Sequence, residues 1–159
     1  MIFVTIGTQA PFDRLIETVD RLAPLLGEPV VAQTLKGTYE PKNIELVDFI
    51  SPDRFSDYIN RASLVIAHAG MGTVITAIMA GKTLVIVPRK ASLGEHRNEH
   101  QLATAKQLKK MGYVNVAFEV DELENLLINR EELIASPAIN QMASQGLIDS
   151  LTSFILNKK

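Results

Sequence analysis

Short apolar runs rich in β-branched residues alternate with longer helical patterns along the chain, and this alternation constrains the fold most. Six runs have the length and composition of strands: Met1–Ile6, Val30–Ala32, Ile44–Phe49, Leu64–Ala67, Leu84–Val87 and Val114–Ala117. Helical patterns are predicted at Phe12–Leu26, Asp53–Arg61, Gly72–Ala80, Asn98–Met111, Asp121–Asn129 and Ile139–Leu156. Because alternating strands and helices build parallel sheets through right-handed crossovers, we expect a doubly wound, three-layer α/β fold.

The composition agrees with a Rossmann-like fold of this kind. Hydrophobic residues make up 47% of the chain but aromatic residues only 6%, so the core is expected to be aliphatic, as in parallel sheets covered by helices. A length of 159 residues suits a single domain, predicted at 1–159. Ligands of such sheets bind outside the carboxyl ends of the strands, so function is expected in the loops that follow strands.

Charge and residue usage narrow the class of protein. A formal charge of −2 and a pI near 5.9 disfavour nucleic acid as a partner, since nucleic-acid-binding domains usually carry a basic patch. The lack of cysteine excludes disulfides and thiolate metal sites and suits a cytoplasmic location. The sequence has neither the pattern of a secretory signal nor an apolar run of about 20 residues, so membrane contact is expected to be peripheral.

The loop after the first strand has features of an anion-binding turn. It reads G-T-Q-A-P-F-D at positions 7–13, where glycine permits a tight turn and Pro11 suits the start of a helix. Free amides at a helix N-terminus attract anions, so Gly7 and Thr8 are candidate contacts of a diphosphate. The alternative is an ordinary connection in which Asp13 only complements the helix dipole.

A second loop, H-A-G-M-G-T at positions 68–73, follows the fourth predicted strand. Gly70 and Gly72 permit close approach of a ligand to the backbone. Thr73 can offer a hydroxyl and an amide to a phosphate, and His68 a hydrogen bond or partial positive charge. For His68, capping of a buried turn is the alternative. The spacing is not G-x-G-x-x-G, so a dinucleotide site is poorly supported.

A third loop is dense in hydrogen-bonding groups suited to sugar hydroxyls. It contains P-R-K at positions 88–90 and G-E-H-R-N-E-H-Q at 94–101. His96, Glu99 and His100 also spell H-x-x-E-H, an inverted zinc-protease motif. A catalytic zinc needs a third protein ligand, and no downstream segment offers an obvious one, so we expect no metal.

Taken in order, these motifs resemble the C-terminal, donor-binding domain of glycosyltransferase family 28. The resemblance rests on G-T after the first strand, H-A-G-M-G-T, G-K-T at 81–83, V-P-R at 87–89 and G-E-H-R-N-E-H-Q, and it covers nearly the whole chain. Within the family, the chain is similar to stand-alone members of bacterial exopolysaccharide and capsule clusters. It is also similar to the soluble subunit of the two-part N-acetylglucosaminyltransferase of dolichol-linked glycan assembly.

The resemblance implies a metal-independent, inverting transfer from a UDP-sugar, with no cofactor, by the C-terminal lobe of a GT-B architecture. A membrane-anchored partner subunit would hold the lipid-linked glycan acceptor and supply the general base. The chain itself would be cytoplasmic and peripheral at the inner face of the membrane. The alternative is a non-catalytic nucleotide-sugar-binding or scaffold subunit that stabilises another transferase.

The resemblance also implies roles for individual residues. His68 and Thr73 match diphosphate contacts of the family, while His100 and Gln101 fall where relatives place an acid and a glutamine that bind sugar hydroxyls. His68 and His100 are minor candidates for the base. The predicted donor contacts are Gly7, Thr8, His68, Gly70, Gly72, Thr73, Thr76, Arg89, Glu95, Asn98, His100 and Gln101.

One position departs from the family's pattern. Thr76 stands where many relatives carry a glutamate that binds the ribose hydroxyls. A neutral hydroxyl makes a weaker hydrogen bond than a carboxylate, by about 1 kcal/mol, so nucleotide affinity is expected to be low or dependent on the partner. The last predicted helix, Ile139–Leu156, has apolar residues at helical spacing and packs either on its own sheet or against the partner.

Overall fold

The computed structural model describes residues 1–135 and, beyond them, Gly146, Asp149 and Ser153. The strands are β1 (Ile2–Thr5), β2 (Val30–Gln33), β3 (Glu45–Val47), β4 (Leu64–His68), β5 (Leu84–Val87) and β6 (Asn115–Val116). The helices are α1 (Asp13–Leu22), α2 (Pro52–Arg61), α3 (Met71–Met79), α4 (His100–Met111) and α5 (Val120–Ile128).

The six strands form one parallel sheet in the order β3-β2-β1-β4-β5-β6. From β1 the chain moves outward through β2 to β3, then returns to place β4 on the other side of β1. The strand order therefore reverses between β1 and β4, which is where open α/β sheets bind ligands. The predicted α/β fold with a doubly wound parallel sheet of six strands is confirmed.

Alternating strand residues build a core on each face of the sheet. Ile2 and Val4 face the layer of α1 and α5, whereas Phe3 between them faces the layer of α2, α3 and α4. Phe3 stacks on Tyr58 with ring centroids 5.1 Å apart and meets the edge of Phe55 at 5.8 Å. Because both faces are covered, the central strands are uniformly apolar, as expected for a parallel sheet.

Several elements are shorter than the sequence pattern predicts, and α1 and β3 differ most. α1 ends at Leu22 and continues as a 3-10 turn, because Pro24 has no amide to donate to the Asp20 carbonyl. The side chain of Asn43 donates to that carbonyl instead, at 3.1 Å. β3 is confined to three residues at the edge of the described sheet, where it pairs with β2 and stays largely exposed.

The predicted helix Ile139–Leu156 lies outside the described residues, apart from Gly146, Asp149 and Ser153, which are helical and exposed. Within the described part of the chain, none of the helices combines the length and the apolar content that a bilayer crossing requires.

Candidate functional site

A cleft opens at the carboxyl edge of the sheet, where the strand order reverses between β1 and β4. Its volume of about 810 Å³ is in the range of sites that enclose small molecules and cofactors. The loops β1–α1, β4–α3 and β5–α4 all contribute to it. The predicted donor contacts that line the cleft are Gly7, Thr8, His68, Gly70, Gly72, Thr73, Thr76, Arg89, His100 and Gln101. Their contact with a donor stays a prediction.

The β1–α1 loop is supported from the neighbouring strand. Gly7 has a φ of +76°, a left-handed conformation that glycine adopts without strain. Gln33 at the end of β2 is 3% exposed; its amide donates to the Gly7 carbonyl at 3.4 Å, and its side-chain oxygen accepts from the Thr5 hydroxyl at 2.8 Å. The turn is therefore held in place before any ligand binds.

His68 at the end of β4 lies in a cradle formed by two glycines. A Cβ on Gly7 would lie 2.8 Å from His68 Cε1, and a Cβ on Gly70 only 2.1 Å from its Nε2. Among the described residues, His68 Nδ1 is buried without a hydrogen-bond partner. Gly7 and Gly70 thus accommodate an imidazole, a packing role that the sequence did not reveal.

The charge state of His68 follows from this burial. Burial is the main cause that lowers the pKa of His68 from 6.5 to about 4; the charges of Arg89 and His96 act in the same direction, and an interaction with the Thr5 backbone acts against them. His68 is therefore neutral at physiological pH. It can offer a hydrogen bond to a diphosphate, but a side chain with this pKa is a poor general base near neutrality.

The β4–α3 loop ends at the free N-terminus of α3. Gly70 is the N-cap residue and has no side chain to accept a hydrogen bond from the first turn of the helix. The first amides of α3 therefore face the cleft region without a side-chain cap, and the helix dipole adds a partial positive charge there. Gly72 and Thr73 lie in this first turn and line the cleft. Such an arrangement is suited to a phosphate group.

Thr76 borders the cleft one turn further along α3. Its hydroxyl donates to the Gly72 carbonyl at 2.9 Å, so its hydrogen is already used within the helix. The oxygen lone pairs remain available to a donor such as a hydroxyl group of a ligand.

Two of the predicted donor contacts do not line the cleft. Glu95 binds Arg14 through both carboxylate oxygens, at 2.6 and 2.9 Å, and accepts the Lys90 amide at 2.9 Å. Asn98 accepts the amide of His100, the first residue of α4, at 3.1 Å. Both side chains anchor the β5–α4 loop rather than face the ligand space.

The rest of this loop reaches the cleft. Gln101 accepts the Arg89 amide at 3.2 Å through its side-chain oxygen, which leaves the side-chain NH₂ for other partners. His96 and His100 also line the cleft, so this wall consists largely of polar groups. The exposed position of His100 at the start of α4 suits hydrogen bonding to a ligand.

The zinc interpretation of the H-x-x-E-H motif is not supported by the placement of its side chains. Glu99 accepts the Ser92 amide at 3.2 Å, and the His96 ring bonds to the Asn98 carbonyl at 3.1 Å. Over residues 1–135, no three His, Asp or Glu side chains converge as metal ligands.

Sequence reasoning missed a further wall of the cleft, which is formed by the segment after β3. The β3–α2 connection supplies Phe49 and Ile50 to the cleft lining, and the first turns of α2 supply Pro52, Phe55 and Ser56. Phe49 is 72% exposed and offers an open aromatic face. Its position at the carboxyl end of a strand was the available signal, because all such positions meet at one edge of a parallel sheet.

The fold and this cleft define a Rossmann-like domain with its ligand site at the topological switch point. A family model, the glycosyltransferase family 28 C-terminal domain, matches residues 1–150. The chain belongs to this family, as its motifs predicted.

Curated relatives in the family are similar over most of this chain. The UDP-N-acetylglucosamine transferase subunit ALG13 of Homo sapiens is 32% identical over 71% of this chain, which spans 10% of that protein. The subunit of the same name from Yarrowia lipolytica is 26% identical over 98% of this chain and 86% of its own length. The chain thus spans only about a tenth of the human relative's length.

Solved structures share the fold. An NMR structure of ALG13 superposes with a TM-score of 0.62 at 17% identity, covering 94% of this chain and 93% of that one. MurG of Acinetobacter baumannii superposes with a TM-score of 0.55 at 21% identity, covering 95% of this chain and 49% of that one. The fold of this chain is therefore that of one lobe of the larger GT-B glycosyltransferases.

Proposed function

We propose that this chain binds UDP-N-acetylglucosamine and is the donor-binding, catalytic subunit of a two-component inverting glycosyltransferase. Membership of glycosyltransferase family 28 and the names of the relatives support this donor. The observation that carries the proposal is the cleft at the strand-order reversal, where a glycine turn meets an uncapped helix N-terminus. These two features together suit the diphosphate of a nucleotide sugar.

The diphosphate binds between the β1–α1 loop and the first turn of α3. Amides near Gly7, Gly72 and Thr73 donate to its oxygens, and the dipole of α3 stabilises the negative charge. This charge grows on the leaving UDP as the sugar bond breaks, so groups fixed in advance favour the transition state over the ground state.

The two ends of the donor meet different walls. Phe49 on the β3–α2 connection offers an aromatic face on which a nucleobase stacks. On the other side, His100 and the NH₂ group of Gln101 bind hydroxyls of the sugar. The cleft volume of about 810 Å³ accommodates a ligand of this size.

The transfer itself is a direct displacement at the sugar's anomeric carbon. The acceptor oxygen forms a bond to that carbon while the bond to the diphosphate oxygen breaks, and UDP leaves with the electron pair. The acceptor proton goes to a base on the partner subunit: His68 is buried, neutral and weakly basic, and His100 is assigned here to the sugar hydroxyls. No step requires a metal or a cofactor.

The acceptor half is assigned to a membrane-anchored partner that presents a lipid-linked glycan at the cytoplasmic face. The relatives are named as subunits, and residues 1–135 have the fold of one lobe of the larger GT-B glycosyltransferases; both findings support this assignment. This arrangement is compatible with the assembly of an exopolysaccharide, a capsule or another lipid-linked glycan.

The test is reconstitution with membranes that contain the candidate partner. Labelled N-acetylglucosamine should pass from UDP-N-acetylglucosamine into the lipid fraction only when the chain and the partner are both present. Transfer by the purified chain alone would refute the two-component assignment. Donor binding without transfer in the assembled complex would instead favour a non-catalytic, scaffolding subunit.

A further inference from the structure

Arg89 follows β5 and lies buried beneath the β1–α1 loop, with 3% of its surface exposed. Its two Nη atoms donate to the carbonyl oxygens of Pro11 at 2.6 Å, Ile6 at 2.9 Å and Ala10 at 2.6 Å. The guanidinium carbon lies 4.5 Å from the centroid of the Phe12 ring. One side chain of the β5–α4 loop therefore binds three backbone carbonyls at the end of β1 and in the β1–α1 loop.

No carboxylate pairs directly with this cation in the ion pairs of the described residues. The nearby Glu95 carboxylate binds Arg14, and Glu95 offers Arg89 only its backbone carbonyl, at 3.4 Å. Burial lowers the pKa of Arg89, against the charge of Glu95, yet an arginine guanidinium stays cationic in proteins. Among the described residues, Arg89 thus places a positive charge at the cleft without a carboxylate bonded to it, although the Glu95 carboxylate acts on it from nearby.

The carbonyl contacts set the direction of the amide that follows. In a planar trans peptide the C=O and N–H groups point in opposite directions. Because the Ile6 carbonyl is held by Arg89, the Gly7 amide in the same peptide unit points away from the guanidinium. Among the described residues, that amide has a single, long contact of 3.5 Å with the Thr5 hydroxyl, and Gly7 lines the cleft.

We propose that Arg89 is a positioning residue for the donor's diphosphate, an inference that rests on the proposed function. Arg89 binds carbonyl oxygens of the β1–α1 loop and so orients the Gly7 amide towards the phosphate oxygens. Its positive charge also raises the electrostatic potential at the diphosphate. Both Nη atoms are occupied by carbonyls, so Arg89 does not itself bind the donor.

The first experiment separates phosphate binding from the rest of the nucleotide. Lysine keeps the charge but cannot reach three carbonyls, so Arg89→Lys should lower the affinity for UDP about tenfold while leaving uridine affinity unchanged. Added methylguanidinium should partly restore the preference for UDP over uridine in Arg89→Ala. The matched control is Arg61→Lys, an exposed arginine at the far end of α2, which should behave like wild type.

An equal loss of UDP and uridine affinity, or no loss of either, would overturn the positioning role. If the variants do not fold, NMR of the wild-type protein with bound UDP provides the test. The measurement is the scalar coupling between phosphorus of UDP and nitrogen of the protein across hydrogen bonds. The proposal requires a coupling to the Gly7 amide and none to the Arg89 side chain; a coupling to Arg89 Nη would contradict it. Wild-type protein that binds neither UDP nor UDP-N-acetylglucosamine would instead refute the proposed function.

Discussion

Gly7 and Gly70 leave space for the imidazole ring of His68, whereas the space beside Gly72 is empty. A methyl group on Gly70 would overlap the His68 ring, but one on Gly72 would meet no atom within 4 Å. The same residue type therefore serves packing at one position and, by our proposal, ligand approach two residues later. The pair allows the two roles to be measured separately.

Gly70→Ala should destabilise the protein by about 1–3 kcal/mol, because the ring of His68 is enclosed and cannot move freely away from the new methyl group. Gly72→Ala should leave the melting temperature unchanged or raise it slightly, since alanine favours helix. Its UDP affinity should nevertheless fall about tenfold, as the methyl group occupies the space of a phosphate. Thermal melts and UDP titrations check both variants, and unchanged UDP binding by Gly72→Ala would argue against diphosphate at α3.

His68 should make folding stability depend on pH. Its pKa is about 4 in the folded protein against 6.5 unperturbed, so the unfolded chain binds more protons between these values. Stability therefore falls as the pH drops from about 7 to 4, and His68 contributes up to about 3 kcal/mol to that fall.

Urea denaturation at both pH values, compared between wild type and His68→Gln, isolates this contribution. Acidic groups also make the stability of the protein fall with decreasing pH, and they do so equally in wild type and variant. For Asp20, burial raises the pKa, but hydrogen bonds from Asn43, Tyr39 and Lys42 outweigh this effect and lower it. An equal loss in wild type and variant would mean that His68 titrates normally in the folded state.

Thr76→Glu should tighten UDP binding about fivefold, because a carboxylate accepts stronger hydrogen bonds from ribose hydroxyls than a threonine hydroxyl does. Thr76→Gln is the matched control, since it has the same shape without the charge. Calorimetric titration of folded variants checks the difference. Unchanged or weaker binding by Thr76→Glu would show that this position does not face the ribose.

At the scale of elements, the β3–α2 connection forms a wall that the sequence pattern did not indicate. Phe49→Ala should weaken UDP binding about tenfold through loss of base stacking, with little effect on stability because the ring is exposed. Leu25→Ala provides the control, since Leu25 is equally exposed, at 72%, but lies after α1 and outside the cleft lining. Equal UDP affinities for the two variants would remove Phe49 from the site.

The periodicity of apolar residues predicted best the strands that are buried on both faces and the helices that bury a single apolar face. The runs at β4 and β5 match the structure within one residue, because their apolar character reflects two covering layers. β3 is shorter than its apolar run, since it lies at the edge and pairs with one neighbour. Gln33 could not be predicted as a support for Gly7, because that contact depends on which strand lies beside β1.

At the scale of the whole molecule, the strand order brings together residues that are distant in sequence. The alternation of strands and helices predicted a parallel sheet, but not which strands flank β1. Placing β4 next to β1 puts His68 against Gly7, and placing β5 beyond it lets Arg89 reach the β1–α1 loop. The glycine and histidine motifs were readable from sequence, whereas their mutual packing depended on this topology.

The most direct test is to titrate the isotopically labelled protein with UDP-N-acetylglucosamine and to measure the changes in its amide chemical shifts by NMR. The proposal predicts that the largest changes fall on Gly7, Thr8, Gly72 and Thr73, and that UDP reproduces them while free N-acetylglucosamine does not. The same titration is repeated with the candidate partner bound. Absence of shifts at these amides in both forms, or shifts confined to another surface, would contradict donor binding at the strand-order reversal.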